Sequence, residues 1–320
     1  MKAVLPPLVE DFLGYMETIK GKSMNTVKAY SYDLILFFRY MKLRRKLVPE
    51  NTTMEEILIF DIDDAFLKRI TLADLYGFLA YVANSRDNKT YARARKVACL
   101  RSFFKYLHTK AHVIDENPAM ELETPKTGDR HPVHLTLSES TQLLDSVISE
   151  NPERDYAIIT LFLNCGLRLS ELCGIDINRI KEDTLTVIGK GNKERTVYLN
   201  EACQAAISSY LKVRPHDGVK DRQALFLSSR KSRISNRMVQ VIVKKQLELA
   251  GLDSEKISPH KLRHTAATLM YKHGNVDIRA LQQILGHESI STTQIYTHID
   301  DDRLRTAVRS NPLSKVKRTE

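Results

Sequence analysis

Residues 184–200, TLTVIGKGNKERTVYLN, hold the only convincing β pattern in a chain of 320 residues. Two short runs rich in β-branched residues flank the polar tip Lys190-Gly191-Asn192-Lys193, which predicts a hairpin with a four-residue loop. Its surroundings read as helix. Upstream, TLSESTQLLDSV (136–147) offers Thr136 or Ser138 as a cap, and DYAIITLFLNCG (155–166) is an apolar helix ended by glycine. Downstream, Ser258 and Pro259 open the helix SPHKLRHTAATLMYKHG, and Gly286 stops IRALQQIL. The Ser291-Thr292-Thr293-Gln294 stretch has the capping-box pattern, so a further short helix carries Tyr296 in its second turn. A mainly α fold with a small β hairpin is expected for this half.

The first third reads as helices, interrupted from Arg44 to Arg69. DFLGYMETI (11–19), TVKAYSYDLILFFRYM (26–41), TLADLYGFLAYVANS (71–85) and TYARARKVACLRSFFKYLHTK (90–110) repeat apolar residues at three- and four-residue steps, with Ser23 or Asn25 capping the second. A polar, irregular stretch separates the middle pair. In the last segment Val97, Leu100, Phe103, Phe104 and Leu107 share a face, and Arg95, Arg101 and Lys105 lie roughly opposite, as a solvated basic face or as phosphate contacts. ETPKTGDRHPVHLT (123–136) lacks periodicity, so the expected organisation is a helical domain over 1–120, a linker over 121–134 and a second domain over 135–320.

The net charge of +10 favours a polyanionic partner, nucleic acid before an anionic membrane surface. No apolar run approaches the roughly 18 to 20 residues of a spanning helix, and MKAVLPPLVE lacks the apolar core of a signal peptide, so membrane insertion is not expected and a cytoplasmic location is. Cys99, Cys165, Cys173 and Cys203 sit singly in apolar segments and are read as reduced packing thiols, not as a zinc site.

Several side chains stand out chemically. His260 and Arg263, three apart at a helix start, make either an anion site or a cap with an arginine–carboxylate pair. Arg168 follows the glycine that ends an apolar helix, and points into a cleft or pairs with Glu171. Lys190 at the hairpin tip is a surface lysine or a proton donor to a leaving alkoxide. Tyr296, with an ordinary pKa near 10, needs cations or a base close by if it is to attack anything. His260, Arg263 and His287 supply such a field if the fold gathers them.

Taken together, Arg168 in GLRLSEL, Lys190 in GKGNKER, His260 and Arg263 in HKLRHTAAT, His287 in LGH and Tyr296 in IYTH resemble the catalytic set of the tyrosine site-specific recombinases of the phage integrase family. The likeness is closest to its bacterial Xer branch. SMNTVKAYSYDLILFFRYM (23–41) and LRSFFKYL (100–107) extend it to that family's core-binding domain. The resemblance implies a four-helix SAM-like N-terminal domain and a mixed α/β catalytic domain clamping around DNA. It implies that Tyr296 attacks a phosphodiester, giving a 3'-phosphotyrosyl link and a free 5'-hydroxyl. Arg168 and Arg263 would neutralise the transition state, His287 would bond a nonbridging oxygen, Lys190 would act as general acid, and His260 would take the tyrosine proton. Glu171 would hold Arg168, and Lys193 and Arg195 would join Arg95, Arg101 and Lys105 as DNA contacts. Exchange of one ester for another implies no cofactor and no metal.

The implied partners are a double-stranded recombination site, a homo- or hetero-tetramer of protomers exchanging strands through a Holliday junction, and a DNA translocase of the division machinery. Nucleoid association follows from the same reading. Chromosome-dimer resolution at a dif-like site is the first expectation; integration or excision of a mobile element and DNA inversion use the same residues. An arm-binding domain like that of many phage integrases is not expected, because the helical pattern starts almost at once. The tail SNPLSKVKRTE (310–320) docks on a neighbouring subunit or is a basic tail. A type IB topoisomerase and a non-catalytic DNA-binding regulator are the competing readings.

Overall fold

The computed structural model describes residues 4–49, 51–86, 88–126, 133–189, 193–274 and 276–286. The chain forms two compact units that divide between residues 129 and 130. The first is built on helices α1 (Pro7–Thr18), α2 (Met24–Arg44), α3 (Asp64–Lys68), α4 (Leu72–Asn84) and α5 (Thr90–Thr109). Ser23 caps α2 by accepting from the Thr26 N–H, and Thr71 and Asp74 cap α4 reciprocally. The apolar stripes meet in an aromatic core. Phe12 packs edge-on to Phe103, tying α1 to α5, and Phe37 packs edge-on to Phe78, tying α2 to α4.

The irregular stretch between α2 and α3 is held by two basic residues of α2. Arg39 donates to the carbonyls of Ile57 and Glu55, and Lys42 to Leu58 O at 2.8 Å and to Asp61. Ile57, Ile59 and Ile62 are buried, while Leu58, Phe60 and Asp61 between them are exposed. Asp33 of α2, only 3% exposed, accepts from the buried Lys96 at 2.6 Å and from Arg95.

The second unit contains α6 (Leu137–Asp145), α7 (Pro152–Cys165), α8 (Leu169–Cys173), a single 3-10 turn (Ile177–Arg179), and strands β1 (Ile180–Lys181), β2 (Thr184–Ile188) and β3 (Glu194–Tyr198). Helices α9 (Glu201–Val213), α10 (Asn236–Leu249), α11 (Pro259–His273) and α12 (Ile278–Leu285) follow among the described residues. Thr136, with Glu139, caps α6. The strands form one antiparallel sheet in the order β1-β2-β3, with Val187 opposite Arg195 and Ile188 opposite Glu194. The Gly189 N–H donates to Lys193 O at 2.7 Å, so the hairpin loop closes on Lys193. Strand β1 has two residues, too few to show a period in sequence.

Helix α7 is the centre of this unit. Ile158, Ile159, Leu161 and Phe162 pack with Leu185 and Val187 of β2, Ile207 of α9, Val243 of α10 and Leu262 of α11. All four cysteines are buried. Two arginines of the unit are structural: Arg214 donates to the carbonyls of Leu225, Ala224 and Arg222, and Arg233 to those of Cys173 and Ile175. Among the described residues no helix is long and apolar enough to cross a membrane.

Candidate functional site

Helix α7 ends at Gly166, whose φ of +58° is the left-handed conformation that glycine adopts without strain. A side chain there would also collide with Leu285, since a Cβ would lie 2.8 Å from its Cδ2. This turn places Arg168 at the N-cap of α8 and Glu171 one helical turn on. The main-chain N–H of Arg168 donates to Glu171 Oε2 at 2.8 Å, and its Nη1 to Oε1 at 2.6 Å.

Two further arginines reach the same carboxylate. Arg195 lies on the inward side of β3, in phase with the buried Val197, and donates from Nη2 to Glu171 Oε2 at 2.9 Å and from Nε to Oε1 at 3.4 Å. Arg263 of α11 brings Nη1 to 3.8 Å from Oε2. The Glu171 side chain is fully enclosed. Burial alone pushes its pKa up, but the hydrogen bond and charge of Arg195, with the bonds from Arg168, outweigh burial and hold the carboxyl below its ordinary value. Glu171 is therefore an anion that gathers cations, not a proton donor.

The other wall of the cluster is the last turn of α12. Three consecutive carbonyls accept from the three arginines: Ile284 O from Arg195 Nη1, Leu285 O from Arg263 Nη2 at 2.6 Å and Gly286 O from Arg168 Nη2 at 2.7 Å. The last carbonyls of a helix lack intrahelical partners and form the negative end of its dipole, so guanidiniums are their natural donors. Arg263 also donates to Gly166 O at 2.7 Å, which joins the ends of α7 and α12. Gly286 has φ +64°, and a Cβ there would lie 2.7 Å from Arg195 Cδ. Only glycine lets the helix end come this close.

His260 stands one turn before Arg263. Its Nε2 is 2.9 Å from Nε2 of His264, so one of these two ring nitrogens carries the shared proton. Partial burial, then the charges of Arg263, Lys261 and Arg168, lowers its pKa below 6.5 and keeps the imidazole neutral at pH 7. The start of the hairpin loop abuts the same group: a Cβ on Gly189 would lie 3.6 Å from Glu171 Oε1 and 3.9 Å from Arg168 Nη1. Lys190, His287 and Tyr296 lie outside the described residues, as does the capping-box stretch at 291–294 and the C-terminal tail.

Arg195, expected as a DNA contact, is 14% exposed, and its donors are taken by Glu171 and Ile284 O. Arg95, expected in the same role, bonds Asp33 and Ala29 O while its side chain stays 42% exposed. Of the two readings of Arg263 the carboxylate pair is the one seen, with Glu171, and Ser258 makes no side-chain cap bond. By contrast Arg101 and Lys105 are exposed and line, with Lys68 and His108, a groove of about 1310 Å³ in the first unit. The carbonyls of residues 284–286 carry no side-chain signal. Arg195 does carry one, because it sits two residues from an apolar strand position and so shares its face.

Comparison with known proteins agrees with this geometry. Residues 134–303 match the model of the phage integrase family. The tyrosine recombinase XerC of Caldanaerobacter subterraneus subsp. tengcongensis is 61% identical over 310 residues, which covers 97% of this chain and 88% of that protein. XerC of Thermodesulfovibrio yellowstonii is 36% identical, covering 96% and 97%. Among solved structures, the XerH site-specific recombinase bound to its palindromic difH substrate after cleavage shares the fold, with TM-score 0.70 and 23% identity over 94% of this chain and 84% of that one. The chain belongs to the phage integrase family of tyrosine recombinases, in its Xer branch.

Proposed function

We propose that this protein is a site-specific DNA recombinase that resolves chromosome dimers at a dif-like site, cleaving and rejoining strands through a 3'-phosphotyrosyl intermediate and a Holliday junction. The observation that carries the chemistry is the convergence of Arg168, Arg195 and Arg263 on one enclosed carboxylate and on the end of α12, the helix from which the chain runs on to His287 and Tyr296. Three guanidiniums against one carboxylate leave an excess of two positive charges (3 − 1 = 2), fixed before substrate arrives. Preorganised charge of this sign favours a pentacoordinate phosphorane over the ground-state diester.

In the reaction, the Tyr296 oxygen bonds to phosphorus and its proton passes to neutral His260. The bond from phosphorus to the 5'-oxygen breaks, and Lys190 gives that oxygen its proton. Arg168, whose side chain is 35% exposed, contacts a nonbridging oxygen, and His287 bonds another. The buried Arg263 holds the ends of α7 and α12 and adds charge from behind. Rejoining reverses the steps with a 5'-hydroxyl from the partner strand. The 61% identity to a tyrosine recombinase XerC supports a DNA recombination site as substrate. In this reading four protomers assemble on two double-stranded sites in the cytoplasm.

Tyr296→Phe tests this. The variant is expected to bind its site but to form no covalent adduct on a nicked substrate. Adducts that persist would remove the nucleophile assignment. Mapping the chromosomal positions held by the same variant decides the biological role: one chromosomal site supports dimer resolution, and the ends of a mobile element would replace it with integration.

A further inference from the structure

We propose that Arg195 is a positioning residue for strand cleavage, which locks the β2–β3 hairpin against α8 and the end of α12. The inference rests on the recombinase reading above and deepens it.

Four observations meet at this side chain. Strand β3 alternates, with Glu194, Thr196 and Tyr198 outward and Val197 buried at 4%; Arg195 takes the other inward position, where a charge has no place unless it is bonded. Its guanidinium is used on two sides at once, by both oxygens of Glu171 and by Ile284 O. Arg195 therefore joins three elements far apart in sequence: β3, α8 and α12. Opposite it in the ladder stands Val187, two residues before Gly189, which abuts Glu171 and Arg168. The left-handed Gly286 leaves no room for a Cβ beside Arg195 Cδ, so the fit is close from the α12 side as well.

The bond from Arg195 to Glu171 sets the distance between hairpin and α8. Without it the enclosed Glu171 keeps Arg168, while the hairpin loses its polar anchor to α8 and α12, and proton delivery by Lys190, next in sequence to Gly189, is expected to suffer. A lysine at 195 keeps the charge but lacks the planar fork that spans a carboxylate and a carbonyl together.

The test uses full-length protein and two synthetic duplexes, one with an ordinary scissile phosphate and one with a 5'-bridging sulfur. A thiolate leaves without needing a proton, so a defect in proton delivery disappears on the sulfur substrate. For Arg195→Ala, single-turnover cleavage of the ordinary duplex is expected to fall by about a hundredfold or more, and cleavage of the sulfur duplex by less than about fivefold. DNA affinity is expected to stay within about threefold. Arg195→Lys is expected to behave like Arg195→Ala, and it carries the comparison if the alanine variant does not fold.

Equal defects on both duplexes would mean that Arg195 only supports the fold, and would overturn the proposal. So would a loss of affinity with normal cleavage at saturating protein, which would make it a DNA contact, or full rescue by Arg195→Lys. Lys190→Ala, run on the same pair, separates the levels. If it discriminates between the duplexes and Arg195→Ala does not, only the positioning role falls. If Lys190→Ala itself shows equal defects, the general-acid reading falls and takes this proposal with it.

Discussion

His260 is the side chain whose environment makes the sharpest kinetic demand. Burial and then the neighbouring Arg263, Lys261 and Arg168 charges depress its pKa, so the neutral ring needed to accept the Tyr296 proton persists below pH 6.5. The acid limb of the single-turnover cleavage rate is expected to have its midpoint below 6.5, and His260→Gln to lower the plateau and abolish that limb. A midpoint at or above 6.5 would exclude His260 as the acceptor. The same shift weakens folding as pH falls below 6.5, because the unfolded chain takes up the proton first. Residue by residue, legibility followed sequence distance. The Arg168–Glu171 pair spans three positions at a helix start, and a reader can find it. Arg195 and Glu171 lie 24 positions apart, and Arg168 and Gly286 lie 118 apart, so only the closed fold brings them together.

Among the elements, helices were readable from their periods and caps: Ser23, Thr136 and Gly286 act where the sequence placed them. The role of a charge on a helix was less so, because amphipathic spacing shows which side a residue occupies and not what it meets there. Arg95 illustrates this. It stands on the rim of α5, yet it and Lys96 close over Asp33 of α2, a contact fixed by helix packing. Asp33→Asn leaves a buried ammonium without its anion and is expected to destabilise the first unit by about 3 kcal/mol, read by urea denaturation. A loss under about 0.5 kcal/mol would mean that solvent reaches Lys96 and that the pair is a surface one.

For the whole molecule, the +10 charge predicts affinity for DNA that falls steeply with salt, and the structure narrows which cations contribute. Arg101 and Lys105 are exposed and line a groove of the first unit together with Asp115, Glu116 and Glu121, whereas Arg95 and Arg195 are engaged within the protein. Arg101→Ala and Lys105→Ala are each expected to lower the slope of log affinity against log salt by about one, with little change in cleavage at saturating protein. Unchanged slopes would place the DNA elsewhere on that unit. The last turn of α12 has one more consequence, which concerns reach. Three guanidiniums clamp its carbonyls, so Gly286 is a fixed point, and Tyr296 hangs from it by ten residues (296 − 286 = 10). Ten residues extend at most about 36 Å. Whichever arginine cluster the tyrosine serves, its own or an adjacent protomer's, must lie within that radius of Gly286.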